Sequence, residues 1–294
     1  MALIMCRCGR QISDKARFCP HCGYDPKQAI NTDDFEIEDG VLVEYKGPGG
    51  DVVIPDSVTK IESYAFAWCK SLDSITIPNS VTEIGSCAFI DCISITDITV
   101  PDGVKRLGGR TFDGCKSLTN ITIPRSVTEI GDSVFAVCES LTSIIIPDGV
   151  TKIGKRAFYG CSLLTSITIP NSITEIGNNA FQECESLIYI IVKGTNQNYA
   201  SEDGVLFNKD KTKLICCPCG KERSYSIPNS VTEIGEYAFE CCRSLTKIDI
   251  PGSVTCIGMF AFFQCESLQS ITIPDRVTKI GRNAFCDCKS LTKS

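Results

Sequence analysis

Leu118-Thr-Asn-Ile-Thr-Ile-Pro-Arg-Ser-Val-Thr-Glu-Ile-Gly-Asp-Ser-Val-Phe-Ala-Val-Cys-Glu-Ser140 is one unit of a sequence that repeats itself every 23 residues. Leu118, Ile121 and Ile123 turn inward as a strand's period of two requires. Pro124 ends that strand, because it has no N–H to donate to a ladder. Val127 and Ile130 mark a second short extended segment, and Gly131 permits a turn that a β-carbon would oppose. The spacing of Phe135 and Cys138 predicts one face of a short helical turn.

Working outward, the Ile-Pro or Val-Pro step recurs at Pro55, Pro78, Pro101, Pro124, Pro147 and Pro170, and again at Pro228, Pro251 and Pro274. The 58-residue gap between Pro170 and Pro228 is one unit plus an insertion of 35 residues. Phenylalanine keeps the same clock from Phe66 to Phe285, and cysteine from Cys69 to Cys288. Each unit leaves an apolar edge that only a neighbour can cover, so the units must stack into a solenoid.

The pattern Ile-x-Ile-Pro-x-Ser-Val-Thr-x-Ile-Gly-x-x-Ala-Phe-x-x-Cys-x-Ser-Leu resembles the BspA-like leucine-rich-repeat family over residues 35–294. The resemblance implies a right-handed solenoid with parallel strands on one face, and proteins used for adhesion or recognition rather than catalysis. A parallel ladder spaces turns by roughly 4.8 Å, but stacked Cβ vectors stand wider than the ~3.8 Å of a disulfide. With nine members the cysteine column is also odd in number. These thiols read as small buried hydrophobes, and the phenylalanine column reads as core.

The first 24 residues are different. Cys6-Arg-Cys8-Gly9 and Cys19-Pro-His-Cys22-Gly23 are two cysteine knuckles, and four thiolates in tetrahedral array suit a closed structural Zn²⁺ site. The stretch resembles the zinc-ribbon heads of bacterial proteins, although one residue rather than two separates Cys6 from Cys8. So short a segment cannot bury a core of its own, and the ion supplies its stability. Arg7, Arg10, Lys15 and Arg17 give the head a modest basic surface, open to nucleic acid or to an acidic protein. Residues 25–34 read as a linker.

Residues 35–50 read as a hairpin capping the N-terminal end of the solenoid. The stretch Glu38-Asp39-Gly40-Val41-Leu42 returns as Glu202-Asp203-Gly204-Val205-Leu206, so residues 193–227 read as an insertion hairpin, expected to protrude. Cys216-Cys217-Pro-Cys219 lacks a partner knuckle in the sequence, and adjacent strand cysteines face opposite ways. The final Ser290–Ser294 opens another strand without a cap, an edge able to self-associate.

Two and four residues before each proline the side chains point outward, and most bear hydroxyls. Ile145, Tyr189 and Ile191, with Thr168 between them, break that pattern with an apolar spot of the kind that anchors a protein partner.

The bulk figures set the limits. The chain has 294 residues, 43% hydrophobic and 22% charged, with 29 basic against 35 acidic residues. That is the balance of a folded chain with no basic face for whole-chain nucleic-acid binding. No apolar run reaches the roughly 18 residues of a membrane span. The start carries no secretory pattern, and 20 cysteines, four as metal ligands, suit a reducing cytoplasm. Display at the cell surface as an adhesin exported by another route is the alternative. The single histidine, His21, lies inside a knuckle, and no phosphate loop, nucleophile elbow or inward carboxylate pair accompanies it. The sequence reads as a non-enzymatic recognition protein, with a regulator contacting nucleic acid through the ribbon as a further alternative.

Overall fold

A computed structural model describes the backbone of residues 3–5 and 11–13, and residues 32–221 and 223–292 in full. The 23-residue units coil into a solenoid in which each residue stacks on its equivalent one turn away. In one ladder Asn120 pairs with Asp97, Ile121 with Ile98 and Thr122 with Thr99, all parallel. In a second, Arg106, Glu129, Lys152 and Glu175 follow one another, with Leu107, Ile130, Ile153 and Ile176 beside them. Opposite charges meet along this second ladder, as in Arg106–Glu129 at 3.1 Å and Lys152–Glu175 at 3.1 Å.

The third side of the unit is not the expected helical turn. Ser133 and Val137 both have left-handed φ, 55° and 56°, and this conformation stops helix propagation. The Ser133, Phe135 and Val137 N–H groups donate sideways to Lys155, Ala157 and Tyr159 carbonyls at 2.7–2.8 Å. Only i-to-i+3 bonds close locally, as from Cys138 N–H to the Phe135 carbonyl at 3.3 Å. The segment is a pair of turns whose outward bonds form a third ladder.

Gly131 serves a purpose other than the one its position suggests. Its φ is ordinary, but a β-carbon there would lie 2.8 Å from the Leu107 carbonyl oxygen and 3.0 Å from Gly108 carbon. Close approach of the preceding turn, rather than turn geometry, demands glycine.

Side chains add their own rungs. Thr151 Oγ1 donates to the Thr128 carbonyl, and Thr174 Oγ1 to that of Thr151, each at 3.2 Å. Ser126 Oγ donates to the Val104 carbonyl at 2.6 Å, and Ser172 Oγ to that of Val150 at 2.6 Å. The recurring Ser-Val-Thr is thus hydrogen-bonding hardware, and the inward Val between them is core.

The phenylalanine rings stack from Phe66 to Phe181 with centroids 5.0–5.8 Å apart, and again from Phe239 through Phe262 to Phe285 at 4.9 and 5.2 Å. The series breaks once, where the insertion lies.

At the N-terminal end, Phe35–Glu38 and Val41–Tyr45 form the expected capping hairpin. Asp39 and Gly40 carry the paired positive φ, 48° and 79°, of a primed two-residue turn. Tyr45 N–H bonds to the Ala65 carbonyl at 2.8 Å, and its ring stacks on Phe66 at 5.0 Å, filling a phenylalanine slot.

The insertion departs from expectation in two ways. It is a meander of three strands, Tyr199–Glu202, Val205–Asn208 and Lys213–Cys216, with Asp203 and Gly204 at its first turn repeating the φ pair of the cap, 49° and 77°. Nor does it protrude. Leu206 is buried in the cluster that begins at Leu42, whereas Val205, Phe207 and Leu214 are buried in the cluster with Phe239. Alternating side chains of one strand therefore close one core and open the next. Asn196, fully buried, starts the insertion by donating to the Pro170 and Ile173 carbonyls at 2.9 and 3.0 Å.

Candidate functional site

The strand ladder that carries the outward hydroxyls places Ser166 opposite Tyr189 and Thr168 opposite Ile191. Ile145 lies one turn before Thr168 in the same column. All four predicted residues thus share one face, with Ile145 83%, Tyr189 49% and Ile191 47% exposed. Lys193 reaches across two turns to Asp148 at 2.6 Å and rims this patch with charge.

Tyr189 is held rather than floppy. A β-carbon on Gly204 would come within 2.9 Å of Tyr189 Cδ1, so the ring lies directly on the insertion's turn. Lys221 Nζ sits 6.0 Å from the Tyr189 centroid and 6.0 Å from that of Tyr225, and pairs with Asp203 Oδ2 at 2.8 Å. The cation is buried beneath an exposed aromatic whose place is fixed by both neighbours. A rigid aromatic loses little entropy when a partner covers it.

A second exposed aromatic group does not stand out in the sequence reading. Tyr64 and Trp68, 53% and 59% exposed, stack on one another at 6.2 Å. They occupy the two left-handed positions of their turn, with φ of 67° and 60°. The signal that could have found them is departure from the column, since the units that follow carry Asp91, Gly114 and Val137 where this one has Trp68.

The periodic cysteines do more than fill space. Cys92, Cys115, Cys138, Cys161 and Cys184 each donate Sγ–H to the phenylalanine carbonyl of the preceding turn at 3.1–3.2 Å. Burial pushes the Cys161 thiol up to about 12 and Cys138 well above the ordinary thiol range. They remain protonated, as donors must. Each of these hydrogens is thus committed to a backbone carbonyl of the preceding turn. Among the described residues, no three His, Cys, Asp or Glu side chains gather as a metal cluster.

Cys6, Cys8, Cys19 and Cys22 lie outside the described residues. The strands flanking the first knuckle, Leu3–Met5 and Gln11–Ser13, pair antiparallel with Leu3 opposite Ser13. The ends of the segment that carries Cys6 and Cys8 are thereby brought together. Among the described residues no helix is long and apolar enough to cross a membrane.

This architecture defines a leucine-rich-repeat solenoid. A family model described as the BspA type leucine rich repeat region matches residues 48–148, 128–220 and 213–294, and the chain belongs to that family. A zinc-ribbon domain model matches residues 6–25. Neither family describes an enzyme. A leucine-rich repeat protein from Eubacterium ventriosum is similar at 30% identity and TM-score 0.67, over 85% of this chain and 64% of that one. A leucine rich cell surface protein from Faecalibacterium prausnitzii matches at 31% identity and TM-score 0.58, over 90% of each chain. The pneumococcal vaccine antigen PcpA matches at 25% identity and TM-score 0.59, over 82% of this chain and 60% of its own. The chain thus spans less than two thirds of the Eubacterium and pneumococcal proteins. No curated protein matches it.

Proposed function

We propose that the protein is a non-enzymatic recognition scaffold that docks a protein partner on the face formed by Ile145, Thr168, Tyr189 and Ile191. The observation that carries this reading is the pinned Tyr189 ring, half exposed among aliphatics on a face otherwise lined mostly with hydroxyl and other polar side chains. Such an anchor loses several-fold to a thousand-fold in affinity when truncated, about 1–4 kcal/mol. Affinity capture followed by mass spectrometry identifies the partner. Tyr189→Ala and Ile191→Ala are expected to lower its recovery at least tenfold while circular dichroism stays unchanged. Equal recovery by the variants would discard this face.

The N-terminal head is proposed to hold one structural Zn²⁺ through Cys6, Cys8, Cys19 and Cys22. The four-thiolate donor set fits a closed tetrahedral site, and the paired flanking strands fit a knuckle between them. Atomic spectroscopy is expected to find one zinc per chain, lost from Cys19→Ser.

The many unpaired thiols among the described residues favour a reducing compartment, the cytoplasm, for this chain. The Faecalibacterium relative is a cell surface protein and supports the alternative. Alkylation of intact cells with a membrane-impermeant thiol reagent separates the two, through labelling or protection of the exposed Cys286.

A further inference from the structure

Where the phenylalanine series breaks, thiols meet across the seam. In a regular turn the Phe135 N–H donates to the Ala157 carbonyl at 2.8 Å, and the Phe135 carbonyl accepts the Cys161 thiol at 3.1 Å. At the seam the Cys217 N–H donates to the Ala238 carbonyl at 2.7 Å, and the Cys217 carbonyl faces the Cys242 thiol at 3.7 Å. Cys217 therefore stands in a phenylalanine slot. Its side chain, 2% exposed, enters the second core where other turns place a ring.

Cys242 in turn departs from the rest of its column. Cys92 to Cys184, and Cys265 and Cys288 beyond the seam, each hold a phenylalanine carbonyl at 3.1–3.2 Å. Cys242 Sγ has only longer contacts, 3.7 Å to the Cys217 carbonyl oxygen and 3.9 Å to that of Pro218. Cys217 Sγ lies 3.9 Å from the same Pro218 oxygen, so two sulfurs flank one peptide carbonyl. The two thiols are also hydrogen-bonded to each other. Cys219 touches Cys242 as well, but its own hydrogen goes to the Glu240 carbonyl at 3.4 Å. Cys241 turns the other way, to Gln264 Oε1 at 3.3 Å. The contacts with Cys217 and Cys219, and then burial, push the Cys242 thiol well above the ordinary range, so it waits protonated.

We propose that Cys217 and Cys242 are a disulfide pair, open in the reduced chain and closed by hydrogen peroxide, that staples the insertion to the first turn of the second stack. Sulfurs already in contact have to approach to about 2 Å. Peroxide reaches them when the segment following Lys213–Cys216 opens locally. The Cys217 sulfur takes one oxygen from the peroxide, giving a sulfenic acid and one water. The Cys242 sulfur then attacks that sulfur, the S–O bond breaks, and the hydroxyl leaves as water with the Cys242 proton. Two thiols and one hydrogen peroxide thus yield one disulfide and two waters.

Peptide mapping tests this on the full reduced chain, kept with zinc, treated with millimolar hydrogen peroxide while folded, then unfolded and alkylated. Trypsin leaves Cys217 within residues 214–221 and Cys242 within residues 224–243. Those two peptides are expected to appear joined, two hydrogens lighter than their sum, and dithiothreitol is expected to part them. Cys217→Ala and Cys242→Ala are each expected to lose the joined species, whereas Cys219→Ala and Cys241→Ala keep it. Circular dichroism confirms the fold of each variant, and should one of the pair unfold, the other carries the same expectation. The linked chain is expected to melt about 5 °C higher, because the unfolded loop between the two cysteines loses freedom. Cys217 and Cys242 both still open to alkylation after the exposed Cys286 has been oxidised would overturn the pair. A joined species that survives Cys217→Ala or Cys242→Ala would overturn it equally, by placing the link on a neighbouring thiol.

Discussion

Two positions in every turn hold residues in the left-handed region, and only some turns place glycine there. Gly114 and Gly160 do so without strain, but Val137 between them does so as a β-branched residue at φ 56°. Such a residue costs of the order of 1–2 kcal/mol in that region. Replacing Val137 by glycine relieves the strain while increasing the freedom of the unfolded chain. Val137→Gly is therefore expected to raise stability by up to about 1 kcal/mol in urea unfolding, where most glycine substitutions lower it. The cysteine column gives a second outcome at this scale. The folded thiols hold their protons up to about 12 in Cys161, whereas unfolded ones release them near 9. Above pH 9 the unfolded state binds fewer protons than the native one, so stability falls as pH rises from about 9 towards 12. The sign is that of a raised acid, whose contribution is complete below its unfolded value. Urea midpoints across that range check it, and Cys161→Ala, less stable at neutral pH by about 1–2 kcal/mol through its lost hydrogen bond and methyl-sized cavity, should flatten the slope.

At the scale of elements, the same five residues, Glu-Asp-Gly-Val-Leu, serve two ends of a stack. The first copy caps the first core. The second lies between two cores, and its surroundings are tighter. A β-carbon at Gly40 would meet Thr59 Oγ1 at 3.2 Å and the Ser57 carbonyl oxygen at 3.3 Å, contacts that a shift of a few tenths of an ångström relieves. One at Gly204 would meet the Ile188 carbonyl oxygen at 2.7 Å and the Tyr189 ring at 2.9 Å, and since both glycines share a left-handed φ, 79° and 77°, these contacts make the difference. Gly204→Ala is thus expected to cost about 2–3 kcal/mol and Gly40→Ala about 1–2. Thermal melts of the two variants give the comparison, and equal losses would contradict the packing of the insertion as described. The Gly204 variant should also loosen Tyr189, so that partner capture suffers there alone.

For the whole molecule, stability of a stack follows the number of interfaces each turn shares with its neighbours. The first stack runs from Leu42 to Ile190, while the second begins at Val205 and ends in partly exposed Val277, Phe285, Cys288 and Leu291. Native-state amide exchange is therefore expected to be slowest across turns 97–176 and fastest beyond 270, with the insertion intermediate. Uniform protection along the chain would mean that both stacks open as one unit.

The 23-residue clock, the stacking of Phe66 to Phe285, the capping hairpin and the outward face of Tyr189 and Ile191 were all legible in the sequence. They follow from period-two strands, from proline punctuation and from apolar edges that demand a neighbour, all of which one unit states in full. The turns at Ser133 and Val137 were not legible. A Phe-x-x-Cys spacing suits a helix as well as it suits two turns, and only lateral bonds to the next unit decide between them. Gly131 likewise owes its place to a neighbour's backbone. The insertion shows the same limit: Val205, Leu206 and Phe207 read as one strand of a protruding hairpin, and nothing local tells which cores lie on either side. Local chemistry determined the unit and its repetition. What lies between units, including the bond from Gln182 Nε2 to the Tyr237 carbonyl across the insertion, was decided by stacking, because those contacts join residues a turn or more apart.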